Sequence, residues 1–116
     1  MTSHSPLRTI IMKKIITSKN APKATDLFSQ AILHNAAYKM EISGQLGLDP
    51  KKNKLVAGGV GAEMEQALKN MKAILAEIGW DLRNVTKARI YLIDIKDYQS
   101  MNEIYARHFP QDPPAR

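Results

Sequence analysis

The chain has 116 residues, 44% hydrophobic and 24% charged, a balance that suits one folded domain rather than a disordered segment. It contains no cysteine, which excludes a disulfide framework, a thiol nucleophile and a cysteine-ligated metal, and its apolar runs are far shorter than the ~20 residues that span a bilayer. The formal charge of +6, from 17 basic and 11 acidic residues, gathers partly at Lys13-Lys14 and Lys51-Lys52-Asn53-Lys54, where it can meet anions or simply solvate loops and a strand edge.

Residues 1–9 are polar and lack the apolar segment of a secretory signal, so residues 1–11 are expected to form a flexible arm ahead of a single domain over 12–116. A cytoplasmic location is expected; Arg8 without a nearby acid leaves a mitochondrial one open. Met12 to Thr17 reads as a strand, Ser18 to Asp26 as a loop containing Pro22, and Phe28 to Leu33 as a second strand. His34-Asn35-Ala36-Ala37 then reads as a hairpin turn into a third, antiparallel strand, Tyr38 to Gln45.

That third strand alternates Met40 and Ile42 with Glu41 and Ser43, then breaks at Gly44, Gly47 and Asp49-Pro50. The two glycines permit positive φ or close backbone approach, which would leave backbone groups near Ser43 and Gly44 facing a small polar ligand; a plain tight turn is the other reading. Asp49 to Gly59 is a basic loop, and Gly58-Gly59-Val60-Gly61, without the lysine of a phosphate loop, begins a helix.

Gly61 to Ile78 carries the strongest helical period: Met64, Ala67, Leu68, Met71, Ile74, Leu75 and Ile78 form one apolar stripe, Glu65 and Lys69 are four apart on the outer face, and Gly79 is the stop. Asn84 to Ile95 alternates as a strand, with Ala88, Ile90 and Leu92 on one side and Lys87, Arg89, Tyr91 and Ile93 on the other. Asp97 caps a second helix to about Phe109, with Tyr98, Met101, Ile104, Tyr105 and Phe109 inward, ended by Pro110, Pro113 and Pro114. The order strand, strand, strand, helix, strand, helix describes an α+β fold: a mixed sheet with two helices packed on one face. The uncovered apolar face predicts self-association. His4, His34 and His108 are too scattered for a metal site, and Ser29 and Ser43 lack partners for a hydrolase triad.

Several strings carry a resemblance: Ile42-Ser43-Gly44-Gln45, Leu48-Asp49-Pro50, Gln66-Ala67-Leu68-Lys69-Asn70-Met71, Val85-Thr86-Lys87, Asn102-Glu103-Ile104-Tyr105 and Pro114-Ala115-Arg116. In this order and spacing, from about Met12 to the end, the chain resembles the reactive intermediate deaminase (Rid, or YjgF) family. The resemblance implies a chorismate-mutase-like fold, a homotrimer packed sheet to sheet, and clefts between subunits. It implies hydrolysis of 2-imino acids or their enamine tautomers, such as 2-iminobutanoate and 2-iminopropanoate, to 2-keto acids and ammonia, with no metal or organic cofactor. It also implies that Arg116 binds the substrate carboxylate and that Ser43, Gly44 and Asn102 line the cleft, with Arg116, Asn102 and Ser43 serving catalysis.

Two departures from the family pattern stand out. Where the family has Gly-Pro-Tyr before Ser29-Gln30, this chain has Asp26-Leu27-Phe28, so Phe28 can wall a pocket but offers no hydroxyl. The resemblance further implies two final strands beyond Arg116, one bearing a glutamate that handles the catalytic water; the chain is expected to be incomplete in that respect. Alternatives of other classes are a non-catalytic trimeric ligand-binding or regulatory protein, and an RNA-binding or ribonuclease-like translation inhibitor drawing on the positive charge. Small imino or keto acids and further copies of the chain are the expected partners; nucleic acid is the less favoured one and a membrane is not expected.

Overall fold

The computed structural model describes residues 13–24 and 26–116; the expected flexible arm over 1–11, and Met12, lie outside the described residues. Strand β1, Lys13–Ile16, pairs antiparallel with β2, Ala31–His34, in the register Lys13 to His34 and Ile16 to Ala31. The loop between them is tied by Gln30, whose side-chain amide donates to the carbonyls of Ser18 and Pro22 while its oxygen accepts the Ser18 N–H. A second, short hairpin joins β3, Leu48–Asp49, to β4, Lys54–Leu55. Asp49 makes its turn: Oδ1 accepts the backbone N–H of Lys51 at 2.8 Å and of Lys52 at 3.2 Å. These two donors, that of Lys52 first, hold the Asp49 carboxyl below its usual range.

Helix α1, Gly59–Ala76, begins directly after Gly58, whose φ of 112° only glycine adopts without strain. Its end is a paired closure around Gly79 (φ 75°), in which Gly79 N–H donates to Ala76 and Trp80 N–H to Leu75, both at 3.0 Å. Helix α2, Tyr98–His108, follows a 3₁₀ turn, Ile95–Asp97, capped by the Asp94 carboxylate, which accepts from Lys96 N–H. The two helices pack side by side, and the core lies under them: Leu68 and Leu75 from α1, Met101 and Tyr105 from α2, with Leu82 and Phe109. Met40, Ile42, Val85, Ala88, Ile90 and Leu92 pack against this core, so the inward sides read from the sequence for both alternating segments are the ones that meet the helices.

The two segments do not, however, form the expected ladders. Residues 38–45 make no strand, β2 pairs with β1 rather than with them, and of residues 84–95 only Lys87 joins a bridge, parallel to Ala115. Alternation of apolar and polar side chains decides which ones face the helices; it does not supply a hydrogen-bonding neighbour. The contacts these regions do make are with the C-terminal residues and with helix α1. Ala88 N–H donates to Ala115, Ala115 N–H donates to Thr86, and the carbonyls of Leu46 and Leu48 accept the side-chain amide of Asn70.

Four smaller expectations also change. Ile78 is past the end of α1 and is 52% exposed, and Tyr98, at the first turn of α2, is 44% exposed, so neither belongs to the core. Glu65 feels the charge of Lys69 along its own helix, but its direct contact is with His108, the last residue of α2, and clips the two helices together. Neither Gly44 nor Gly47 has a positive φ. Gly47 is needed for close approach, since a Cβ there would sit 2.5 Å from the Glu63 Cα, whereas Gly44 has nothing within 4 Å.

This contrast predicts that Gly47→Ala lowers the midpoint of thermal unfolding by roughly 1–3 kcal/mol worth of stability while Gly44→Ala leaves it within about 0.5 kcal/mol, as measured by calorimetry. The hydrogen bond from His108 holds the Glu65 carboxyl below its ordinary value of 4.5, so the contact stabilises the fold above that value and is lost as pH falls through the depressed pKa. With the Glu65 side chain 41% exposed, Glu65→Gln costs only about 0.5 kcal/mol at pH 7. The difference from the parent chain shrinks as pH falls below 4.5 and vanishes once the Glu65 carboxyl is protonated in the folded chain as well, in the same calorimetric series.

Candidate functional site

The sequence Pro113-Pro114-Ala115-Arg116 runs as a strap across the fold. Its prolines present carbonyls but no N–H groups, so Pro114 can be fully buried without orphaning a donor. The buried Ser29 collects the two carbonyls: its Oγ–H donates to Pro113 at 2.6 Å and its N–H to Pro114 at 3.3 Å. One residue on, Ala115 exchanges backbone hydrogen bonds with Thr86 and Ala88 at 3.1 and 2.9 Å. Arg116 therefore leaves this strap in a fixed direction, and it is half-buried.

Helix α2 receives it. Asn102 and Tyr105 are three residues apart and so share one face of the helix. Arg116 Nη1 donates to Asn102 Oδ1 at 2.9 Å, and the guanidinium carbon stands 4.7 Å above the centre of the Tyr105 ring. Both helix residues are buried, Asn102 at 6% and Tyr105 at 1% exposure. A hydrogen bond from a charged donor to a buried amide contributes on the order of 1.5–3 kcal/mol, and stacking on an aromatic face adds to it. Tyr105 is itself stacked on Phe109, with ring centres 4.6 Å apart. Burial pushes its phenol up to about 12 against the opposing charge of Arg116, so the hydroxyl stays protonated at neutral pH; it has no hydrogen-bond partner among the described residues.

Arg116 faces an open cleft of about 560 Å³, walled by Ile90, Leu92, Met101 and Tyr98, with Asp94 as the acid in its lining. Asp94 is already engaged in capping the 3₁₀ turn. On the other side of Tyr98, a smaller and mostly apolar cleft of about 480 Å³ is lined by Leu27, Asn102, Glu103 and Ala106. Of the expected site residues, the structure brings Asn102 and Arg116 into contact. Phe28 is half-buried, but its neighbour Leu27 is the one that lines the cleft beside Asn102. Ser43 and Gly44 are exposed on the segment before β3, and among the described residues no hydrogen bond joins either to Arg116 or Asn102.

Reasoning from sequence passed over two contributors. Ser29 offered only a lone hydroxyl without triad partners, and the signal available was its position between two Pro-rich or loop segments that must be tied together. Asn70 holds the Ser43 segment, donating to Leu46 and Leu48 while accepting from Gln66 one turn earlier; polar residues four apart on an otherwise amphipathic helix were the available sign.

A family model described as Endoribonuclease L-PSP matches residues 18–116. The chain is 43% identical over 106 residues to the human protein named 2-iminobutanoate/2-iminopropanoate deaminase, covering 91% of this chain and 76% of that one. It is 42% identical over 105 residues to a RutC family protein of Pyrococcus horikoshii, covering 90% and 82%. The crystal structure of RidA from the Antarctic bacterium Psychrobacter is similar in fold, with a TM-score of 0.62 and 34% identity over 89% of this chain and 81% of that one.

Removing the Ser29 hydroxyl leaves the Pro113 carbonyl without its donor. Ser29→Ala should cost roughly 1–2 kcal/mol in urea unfolding and should speed amide hydrogen exchange at Ala88 and Ala115 ahead of the helices. Unchanged exchange at those two amides would show that the strap does not depend on Ser29.

Proposed function

The chain belongs to the reactive intermediate deaminase (Rid/YjgF) family, described also as Endoribonuclease L-PSP, and from that premise we propose that it hydrolyses short 2-imino acids and their enamine tautomers to 2-keto acids and ammonia. By resemblance to the named deaminases it is an enzyme. The observation that carries the reading is Arg116: a guanidinium anchored at one nitrogen by Asn102, set over the Tyr105 ring, and turned toward an open cleft with an aliphatic wall. Such a group pairs with a carboxylate through the N–H donors that remain, and the aliphatic wall accepts the substrate's short side chain.

The chemistry then needs little more than positioning. An enamine first takes a proton at C3 and gives one up from its nitrogen to water, becoming the imine. The oxygen of a water bonds to C2 as the C=N π pair moves to nitrogen, which takes up a water proton to give a carbinolamine. Its C–N bond breaks with the electron pair leaving on nitrogen, the hydroxyl proton follows, and the products are ammonia and the 2-keto acid. With the carboxylate held by Arg116 and the rest of the molecule against Leu92 and Met101, C2 has one orientation toward approaching water.

We further propose a homotrimer whose subunits share each cleft. In a single chain no hydrogen bond joins Ser43 or Gly44 to Arg116 among the described residues, and several large apolar side chains, Leu33, Tyr38, Tyr91 and Ile93 among them, are exposed. Packing these surfaces together offers a way to bring the Ser43 hydroxyl and the Gly44 backbone of one subunit to the arginine of the next. A cytoplasmic site of action suits a chain without cysteine.

The direct test couples the chain to a dehydratase that releases 2-iminobutanoate and traps surviving imine with semicarbazide. Deaminase activity lowers trapping, and Arg116→Ala restores it to the enzyme-free level. Keto-acid binding without any change in trapping would establish the non-catalytic binding protein instead. In solution, light scattering on the eluted protein should give three times the chain mass, and a monomer at micromolar concentration would refute the shared cleft.

A further inference from the structure

We infer that Tyr105 is a positioning residue for the carboxylate site, acting through the face of its ring and not through its hydroxyl. The inference rests on the reading of Arg116 as the carboxylate-binding group and goes beyond it by asking what holds that group still. A guanidinium on a flexible side chain loses rotamer freedom when it binds, and this loss weakens affinity unless the geometry is already set. Asn102 fixes one edge of the guanidinium at 2.9 Å but leaves rotation about that hydrogen bond open. The Tyr105 ring, 4.7 Å below the guanidinium carbon, closes that freedom by fixing the plane.

The platform is itself rigid. Tyr105 is 1% exposed, stacks on Phe109 with ring centres 4.6 Å apart, and sits three residues from Asn102 on the same helix, so edge and face contacts cannot drift apart. Its hydroxyl makes no hydrogen bond among the described residues. Burying an unpartnered hydroxyl is unfavourable, and the phenol gains nothing here that phenylalanine would lack. The ring face is the part in use.

The test measures KM and kcat in the trapping assay for four sets of trimeric protein: the parent chain, Tyr105→Leu, Tyr105→Phe, and a series with mono-, di- and trifluorinated phenylalanine at position 105. Fluorination drains the ring face of negative charge with little change of shape, so the series remains informative should the leucine variant fail to fold. The expected result is a KM raised about tenfold in Tyr105→Leu with kcat within about threefold, recovery of KM to within about twofold in Tyr105→Phe, and a stepwise rise of KM with each added fluorine. A flat KM across the fluorinated series overturns the inference, and so does a Tyr105→Phe variant as impaired as Tyr105→Leu, which would assign the role to the hydroxyl. Arg116→Ala is run alongside. If it leaves KM unchanged, the carboxylate reading itself falls, a result distinguishable from failure of the Tyr105 platform because the latter leaves the Arg116→Ala loss intact.

Discussion

The structure depends most on a strap of four residues that is bound at both of its faces. Pro113 and Pro114 give their carbonyls to Ser29, Ala115 exchanges hydrogen bonds with residues 86 and 88, and the side chain that follows is delivered to helix α2. Each of these contacts is distant in sequence, so together they tie the strap to the loop before β2, the segment after Leu82 and the second helix. The guanidinium of Arg116 is thus positioned by distant parts of the domain and not by its neighbours in the chain.

The same arrangement explains why the helices matter to a site that neither of them contains alone. Helix α2 supplies a hydrogen-bond acceptor and an aromatic face in adjacent turns, Asn102 and Tyr105. Helix α1 holds α2 in place through the shared core and through Glu65 and His108, and it also holds the Ser43 segment through Asn70 and the close approach of Gly47 to Glu63. One helix thus carries the arginine's cradle while the other fixes the loop that presents Ser43 and Gly44. Within a chain the two parts remain separate. The proposed homotrimer is what would unite them, and it would give the exposed Tyr91 and Ile93 a reason to be apolar.

Much of this was legible in the amino-acid order. Both helices, the glycine stop at Gly79 and the inward sides of the two alternating segments follow from periodicity, because apolar spacing directly encodes which face meets a core. The pairing of strands does not follow in the same way: alternation is identical whichever neighbour supplies the hydrogen bonds, so the hairpin of β1 with β2 and the bridge of Lys87 with Ala115 could not be read from it. Resemblance to a family pointed at Arg116 and Asn102, which do meet, and at Phe28, where Leu27 instead lines the nearby cleft. Ser29 escaped, and Tyr105 was legible only as an inward residue, because their roles, a donor to two carbonyls and a ring beneath a cation, exist only in three dimensions.

The central claim is that a 2-oxo acid carboxylate sits on the guanidinium of Arg116 while Asn102 and Tyr105 keep hold of it. A crystal structure of the chain grown with 2-oxobutanoate measures this directly. The account predicts the carboxylate oxygens about 2.7–2.9 Å from Arg116 nitrogens, with the ethyl group toward Leu92 and Met101. A ligand bound elsewhere in an otherwise ordered structure, or an Arg116 swung away from Tyr105 in the complex, would contradict it.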